Sequence, residues 1–173
     1  MLGVLAVDLF KQIDDYKTAA KAGYFLDHDF QKIKDFSGIS ATDLSSPLLD
    51  PSGVVNHSHV NRQDIAFLAQ AAQYKDIETA RNTVKAVFEA IQSCSNGARR
   101  PYGTLLYLRY IKFDFDTNVY SKMGYSSSHY YKLRRQALCQ FAEILPVKKL
   151  EYRDKNYTFI PDLLVYKNKS GDI

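Results

Sequence analysis

The sequence predicts a mainly α fold: a helical N-terminal region, a C-terminal unit of three short helices and a short β-containing tail. Three observations predict it. Apolar residues recur at helical spacing over most of the 173-residue chain, with charges between them. Turn-forming residues gather in one long stretch, Ser37 to Val60, and otherwise occur as short punctuation. Beyond Leu145 the pattern changes, with two short runs flanking Asp154-Lys155-Asn156 in the manner of a hairpin.

Residues 1–36 form the N-terminal helical segment, read as helix from Leu2 to Phe36. Phe25, Phe30, Ile33 and Phe36 supply its apolar stripe. Gly23 and Gly38 are weak points, and Gly38 is the natural stop. Asp27-His28-Asp29 is a place for a new turn to begin. The opening Met1 to Val7 is apolar, but no basic flank precedes it and Asp8 follows at once, so a signal peptide is not expected. Residues 37–60 are a linker, holding Ser45-Ser46-Pro47, Asp50-Pro51-Ser52-Gly53 and Asn56-His57-Ser58-His59.

Residues 61–95 make the longest helical segment. Ile65, Leu68, Ala69 and Ala72 form one stripe. Ile77, Ala80, Val84, Val87, Phe88 and Ile91 form a second, rotated from the first. The rotation predicts a kink or short break near Tyr74-Lys75-Asp76, with Asp76 as N-cap. Two readings of this segment stay open: a helix packed on its own core, and a helix that pairs with its twin in a homodimer. Ser95-Asn96-Gly97 ends it. Residues 99–146 then hold three helical candidates: Arg100 to Ile111, Asp116 to Met123, and Ser126 to Leu145. Residues 147–173 are the tail, with Leu150-Glu151-Tyr152 and Tyr157-Thr158-Phe159 as hairpin arms and Leu163-Leu164-Val165-Tyr166 as a further strand.

The formal charge is +4. Arg99 to Lys149 carries ten Lys/Arg and three Asp/Glu, so the rest of the chain is net acidic. Such concentration points to a polyanion partner. Cys94 and Cys139 are too few for a disulfide framework, which fits two free thiols in a reducing cytoplasm. No apolar run has the roughly 20 residues a membrane span needs.

The informative stretch is Asp116 to Leu138. It reads as a short helix, a tight turn and a longer helix, the order of a helix-turn-helix whose second helix enters the DNA major groove. Asp116 or Thr117 caps the first helix. Gly124 supplies the sharp turn. Ser126 caps the second helix, and Tyr125 with Tyr130 suits a hydrophobic staple. Tyr130, Leu133, Ala137, Leu138 and Phe141 share one face and should be buried. Ser128, Tyr131, Lys132, Arg135 and Cys139 lie opposite, and no outward residue of the first two turns is acidic. Ser127, Ser128 and His129 stand nearest the helix start, where base edges are reached. Lys132 and Arg135 suit phosphate or guanine contacts, and Arg134, at the edge of the stripe, suits snorkelling to a flanking phosphate.

Met123-Gly124-Tyr125-Ser126, followed by Tyr130-Tyr131-Lys132-Leu133-Arg134-Arg135-Gln136-Ala137-Leu138 and Phe141-Ala142-Glu143, resembles the ArpU family of phage late transcriptional regulators. That family shows a "lGYS…YYrLkkkAL…FAE" pattern. Phe30-Gln31-Lys32-Ile33 and Thr42-Asp43-Leu44-Ser45-Ser46-Pro47 are similar to its upstream segments, so the resemblance runs from Phe25 to Glu143. It implies a sigma-like helix-turn-helix and a double-stranded DNA-binding activator in the bacterial host cytoplasm, assisting host RNA polymerase. By that analogy Ser127, Ser128, His129, Tyr131 and Lys132 take base-reading or backbone-contacting slots. Cys139, Gln140 and the tail beyond Leu150 depart from the family pattern.

Other functions fit less well. The chain has no Gly-rich phosphate loop, no Cys-x-x-Cys and no Gly-x-Ser-x-Gly, so neither an enzyme nor a cofactor is expected. His57 and His59 lack Cys or acidic partners at metal-ligand spacing, so no metal is expected. His129 and Arg134 are wrongly spaced for tyrosine-recombinase chemistry. A small terminase-like packaging protein is the alternative; there the motif lies N-terminally, whereas here it lies toward the C-terminus.

Overall fold

The computed structural model of the chain describes residues 12–40, 42–45, 64–152 and 159–167, with main chain only at 45 and 64–73. The linker motifs from Ser46 to Val60, both loop histidines and the proposed hairpin turn at Asp154 to Asn156 lie outside those residues, as do the side chains of the first apolar stripe of the long helix.

The fold is mainly helical. α1 (Asp15–Tyr24) passes through a π-helical turn (Phe25–Asp29) into α2 (Phe30–Ser37). A 3-10 turn covers Asp43–Ser45, and α3 spans Asp64–Ser93. Strands β1 (Asn96–Gly97) and β2 (Arg100–Pro101) form a small hairpin. α4 (Tyr102–Leu106) runs into a second π-helical turn (Tyr107–Ile111), and α5 (Asp116–Met123) and α6 (Ser127–Glu151) follow.

Residues 2–11 of the expected first helix lie outside the described residues, and α1 starts at Asp15. Ile13 pairs in a bridge with Tyr166, and Asp14 caps α1 by accepting from the Lys17 backbone N–H at 3.1 Å. The expected stop is present: Gly38 adopts φ 70°, the left-handed conformation that closes α2. α3 runs unbroken through Tyr74-Lys75-Asp76, so the predicted break is absent. No Gly or Pro occurs between Asp64 and Ser93 to interrupt it.

α6 also outruns its prediction. It continues through Pro146 to Glu151, so Leu150 and Glu151 are helical rather than one arm of a hairpin. An interior proline normally costs a helix about 3 kcal/mol. Here tertiary contacts offset that cost. Leu145 is buried, Lys149 Nζ donates to the Ile160 carbonyl at 2.9 Å, and the Tyr152 hydroxyl donates to Glu89 at 2.7 Å.

One buried cluster draws on nearly every element, including Phe25 and Phe30, Val84 and Ile91, Leu105 and Tyr110, and Tyr130 and Phe141. α1 lies along α6 on its small residues Ala19, Ala22 and Gly23, all buried. α2 packs on α3, where Arg81 Nε donates to the Ser37 carbonyl. The tail is a strap. Phe159 N–H donates to Thr83 Oγ1, and Ile160 and Leu163 are buried. Lys167 N–H donates to the Gln12 carbonyl and Asp14 N–H to that of Val165, each at 2.8 Å. Leu163 to Val165 forms no strand, and Tyr166 makes a single bridge to Ile13. Among the described residues no helix is long and apolar enough to cross a membrane.

Candidate nucleic-acid interface

α5 ends at Met123 because Gly124 adopts φ 70° and turns the chain. Its Cβ-less backbone has no heavy atom within 4 Å of where a side chain would start, so the glycine answers to the dihedral alone. Ser126, extended at ψ 153°, starts α6 by accepting the His129 N–H on its hydroxyl at 3.3 Å. Two expected details differ. Tyr125 pairs its ring with His129 (centroids 5.0 Å apart), whereas Tyr130 lies against Tyr120 and Tyr131. Neither Asp116 nor Thr117 caps α5; Phe115 holds the N-cap position without a side-chain bond. The Asp116 carboxylate is engaged instead by Arg109 Nε at 3.0 Å and the Tyr130 hydroxyl at 2.6 Å.

The inner face of α6 is as expected: Tyr130, Leu133, Ala137, Leu138 and Phe141 are all buried. On the outer face, Ser127, Ser128, His129, Tyr131 and Lys132 are exposed. The open face ends at the third turn. There α1 crosses, with the Arg135 guanidinium 4.3 Å from the Tyr16 ring centroid and Cys139 Sγ donating to the Asp15 carbonyl. Arg135 is therefore half-buried and still at the edge of the open surface.

Arg134, read from the sequence as snorkelling to a flanking phosphate, turns inward in this structure. Its Nη2 donates to the Tyr110 hydroxyl at 2.8 Å and reaches Asp27 at 3.5 Å. Asp27 also accepts from Arg109 Nη2 at 2.7 Å. Two arginines, two aspartates and two tyrosines thus join the N-terminal helix, the second π-helical turn, α5 and α6. The geometry depends on both wide turns. The Gln31 side-chain amide donates to a carbonyl of each, Leu26 at 3.0 Å and Tyr110 at 3.1 Å. Burial pushes the Tyr110 phenol up, and burial together with the Asp116 bond does the same to Tyr130. Burial opposes the charge on Arg134, but Tyr110 and Asp116 outweigh it and the guanidinium stays protonated.

The cationic third of the chain is thereby partly used up. Of its ten Lys/Arg, Arg109, Lys122, Arg134 and Lys148 are in ion pairs, and Lys149 binds a carbonyl. The sequence reading missed this network, and it passed over Arg99 and Arg100, both exposed on the β1–β2 hairpin. The two-residue turn at Ala98-Arg99 carries no Asn-Gly or Asp-Gly signal; Asn96-Gly97 lies in the strand before it. Burial lifts Cys94 to about 12 and Cys139 to about 11, so both thiols stay protonated near neutrality.

No family model matches the chain, and neither a curated protein nor a solved structure matches it.

Proposed function

We propose that the chain is a sequence-specific double-stranded DNA-binding activator of phage late genes, acting through a sigma-like helix-turn-helix formed by α5, the Gly124 turn and α6. One observation carries the reading. The outward face of the first two turns of α6 is exposed, free of acidic side chains, and presented by a helix whose opposite face is fixed in the core. A helix so placed enters a major groove N-terminus first. Ser127, Ser128 and His129 take the base-edge positions, with Tyr131 beside them. Lys132 and Arg135 contact phosphate, and Arg134 holds the helix at its angle.

The motif resemblance to the ArpU family supports the same reading and supplies its biological direction: recruitment of host RNA polymerase in the bacterial cytoplasm, without catalysis. The test is selection of bound fragments from the genome that carries the gene. The expected result is a discrete site ahead of late genes. Recovery without sequence preference, together with a solution mass of a many-subunit ring, would favour the packaging alternative.

A further inference from the structure

The β1–β2 hairpin lies outside the segment to which the DNA-binding reading assigns contacts, yet it is fixed to the same helix. Ser95 N–H donates to Gln140 Oε1 at 2.8 Å, Gln140 Nε2 returns a bond to Ser95 Oγ at 3.0 Å, and the Tyr102 hydroxyl donates to Gln136 Oε1 at 3.1 Å. On its other side Asn96 Oδ1 accepts from both the N–H and the hydroxyl of Thr104, at 3.0 and 2.7 Å. The hairpin is thus braced against α6 and α4 at once, with Gly97 opposite Arg100 and Ala98-Arg99 at its turn.

Arg99 and Arg100 are exposed, and among the described residues neither pairs with a carboxylate. Arg100 lines one open groove with Lys132 and Arg135 of α6. Asp15 and Glu143 line it too. Asp15 meets α6 at Cys139, and Glu143 lies one turn beyond. Lys132 belongs both to the groove and to the exposed face of the second turn of α6, so the two surfaces are continuous.

We propose that the hairpin is a second phosphate-binding element. Arg99 and Arg100, together with Lys132 and Arg135, hold the sugar-phosphate backbone of the duplex whose base edges the first turns of α6 reach. The inference rests on the function proposed above. Long cationic side chains on a braced support suit backbone contacts, which fix orientation and carry no sequence information. An open groove suits a continuous polyanion better than a small enclosed ligand.

The test uses the full chain, a random-sequence duplex pool, and a labelled duplex recovered from that pool. Affinity across a salt series is compared for the wild type, Arg99→Ala/Arg100→Ala, Arg99→Lys/Arg100→Lys and Lys132→Ala. The double alanine variant is expected to lose about tenfold in affinity and to flatten the log–log salt slope by roughly 2, one contact per arginine. Its melting temperature and its preferred sequence should stay unchanged, and the double lysine variant should recover the slope. Wild-type affinity and slope in the double alanine variant, while Lys132→Ala still binds more weakly, would overturn the hairpin's role alone. A changed sequence preference would overturn it too, since the hairpin would then read bases. Failure of the wild type to bind any duplex at low salt would remove the proposed function and this inference together.

Discussion

Asp27 accepts from Arg109 and from Arg134, residues 82 and 107 positions away along the chain. Its carboxylate is mostly covered, and losing it leaves Arg109 and Arg134 to share Asp116, which lies 3.0 and 3.9 Å from them. Asp27→Ala should cost about 1.5–3 kcal/mol, the range for hydrogen bonds to charged groups, at its lower end because the pair is partly solvated. Urea unfolding measures it, and wild-type stability in the variant would mean the network is ornamental. Two neighbouring changes on α6 should separate stability from binding. Leu133 is 4% exposed, so Leu133→Ala should destabilise by roughly 2–5 kcal/mol. Lys132→Ala with Arg135→Ala should barely move the melting point, because the Arg135 contact with Tyr16 is worth only about 0.5–1 kcal/mol. The same pair should weaken duplex binding. The burial of Leu133 was legible in the sequence, because period fixes which side of a helix faces its neighbours. The inward turn of Arg134 was not. It is decided by a carboxylate far away in sequence, and helical spacing places Arg134 at a boundary where either direction is open.

The turn between α5 and α6 sets where the exposed face points. At Gly124 a left-handed backbone is required and no side-chain clash threatens, so Gly124→Ala should cost about 1–2 kcal/mol from the backbone alone. Thermal unfolding tests this, and an unchanged midpoint would show that the turn relaxes to another geometry. Both Gly124 and Ser126 were readable from sequence because caps and turns are local chemistry. The length of α6 was not. Pro146 is a stop signal by every local rule, and the helix passes it because Lys149 and Tyr152 find partners on the tail and on α3. The unbroken course of α3 teaches the same lesson in reverse: a rotated apolar stripe need not report a break. The left-handed φ of 59° at Phe113 had no sequence signal either; its ring lies 5.9 Å from the Arg109 guanidinium.

The core as a whole favours neutral thiols and phenols. Burial raises Cys94 to about 12 and Cys139 to about 11, and raises Tyr110, Tyr130 and Tyr152 as well. In the unfolded chain these groups ionise at ordinary values, beginning at 9.0 for the thiols. Above that point the unfolded state holds fewer protons than the folded one, so stability falls as pH rises. Below it, this contribution is fully present. The melting temperature should therefore be level through neutrality with respect to these groups and decline steadily from about pH 9. A melting temperature still level at strongly alkaline pH would contradict the burial of these side chains. The whole molecule also corrects the charge argument. Concentration of Lys/Arg between Arg99 and Lys149 was plain in the sequence, but half of those cations are engaged within the fold, and of the other five, Arg99, Arg100, Lys132 and Arg135 lie on the hairpin and α6 while Lys112 lies over the Tyr107 ring.

The most direct measurement is duplex affinity across a salt series for the wild type and Lys132→Ala. If the open turns of α6 meet DNA with roughly 6–10 phosphate contacts in all, wild-type affinity should fall about 10³–10⁵-fold between low and moderate salt. Lys132→Ala should flatten that slope by about 1 at an unchanged melting temperature. Affinity indifferent to salt, or a variant indistinguishable from the wild type, would contradict the account.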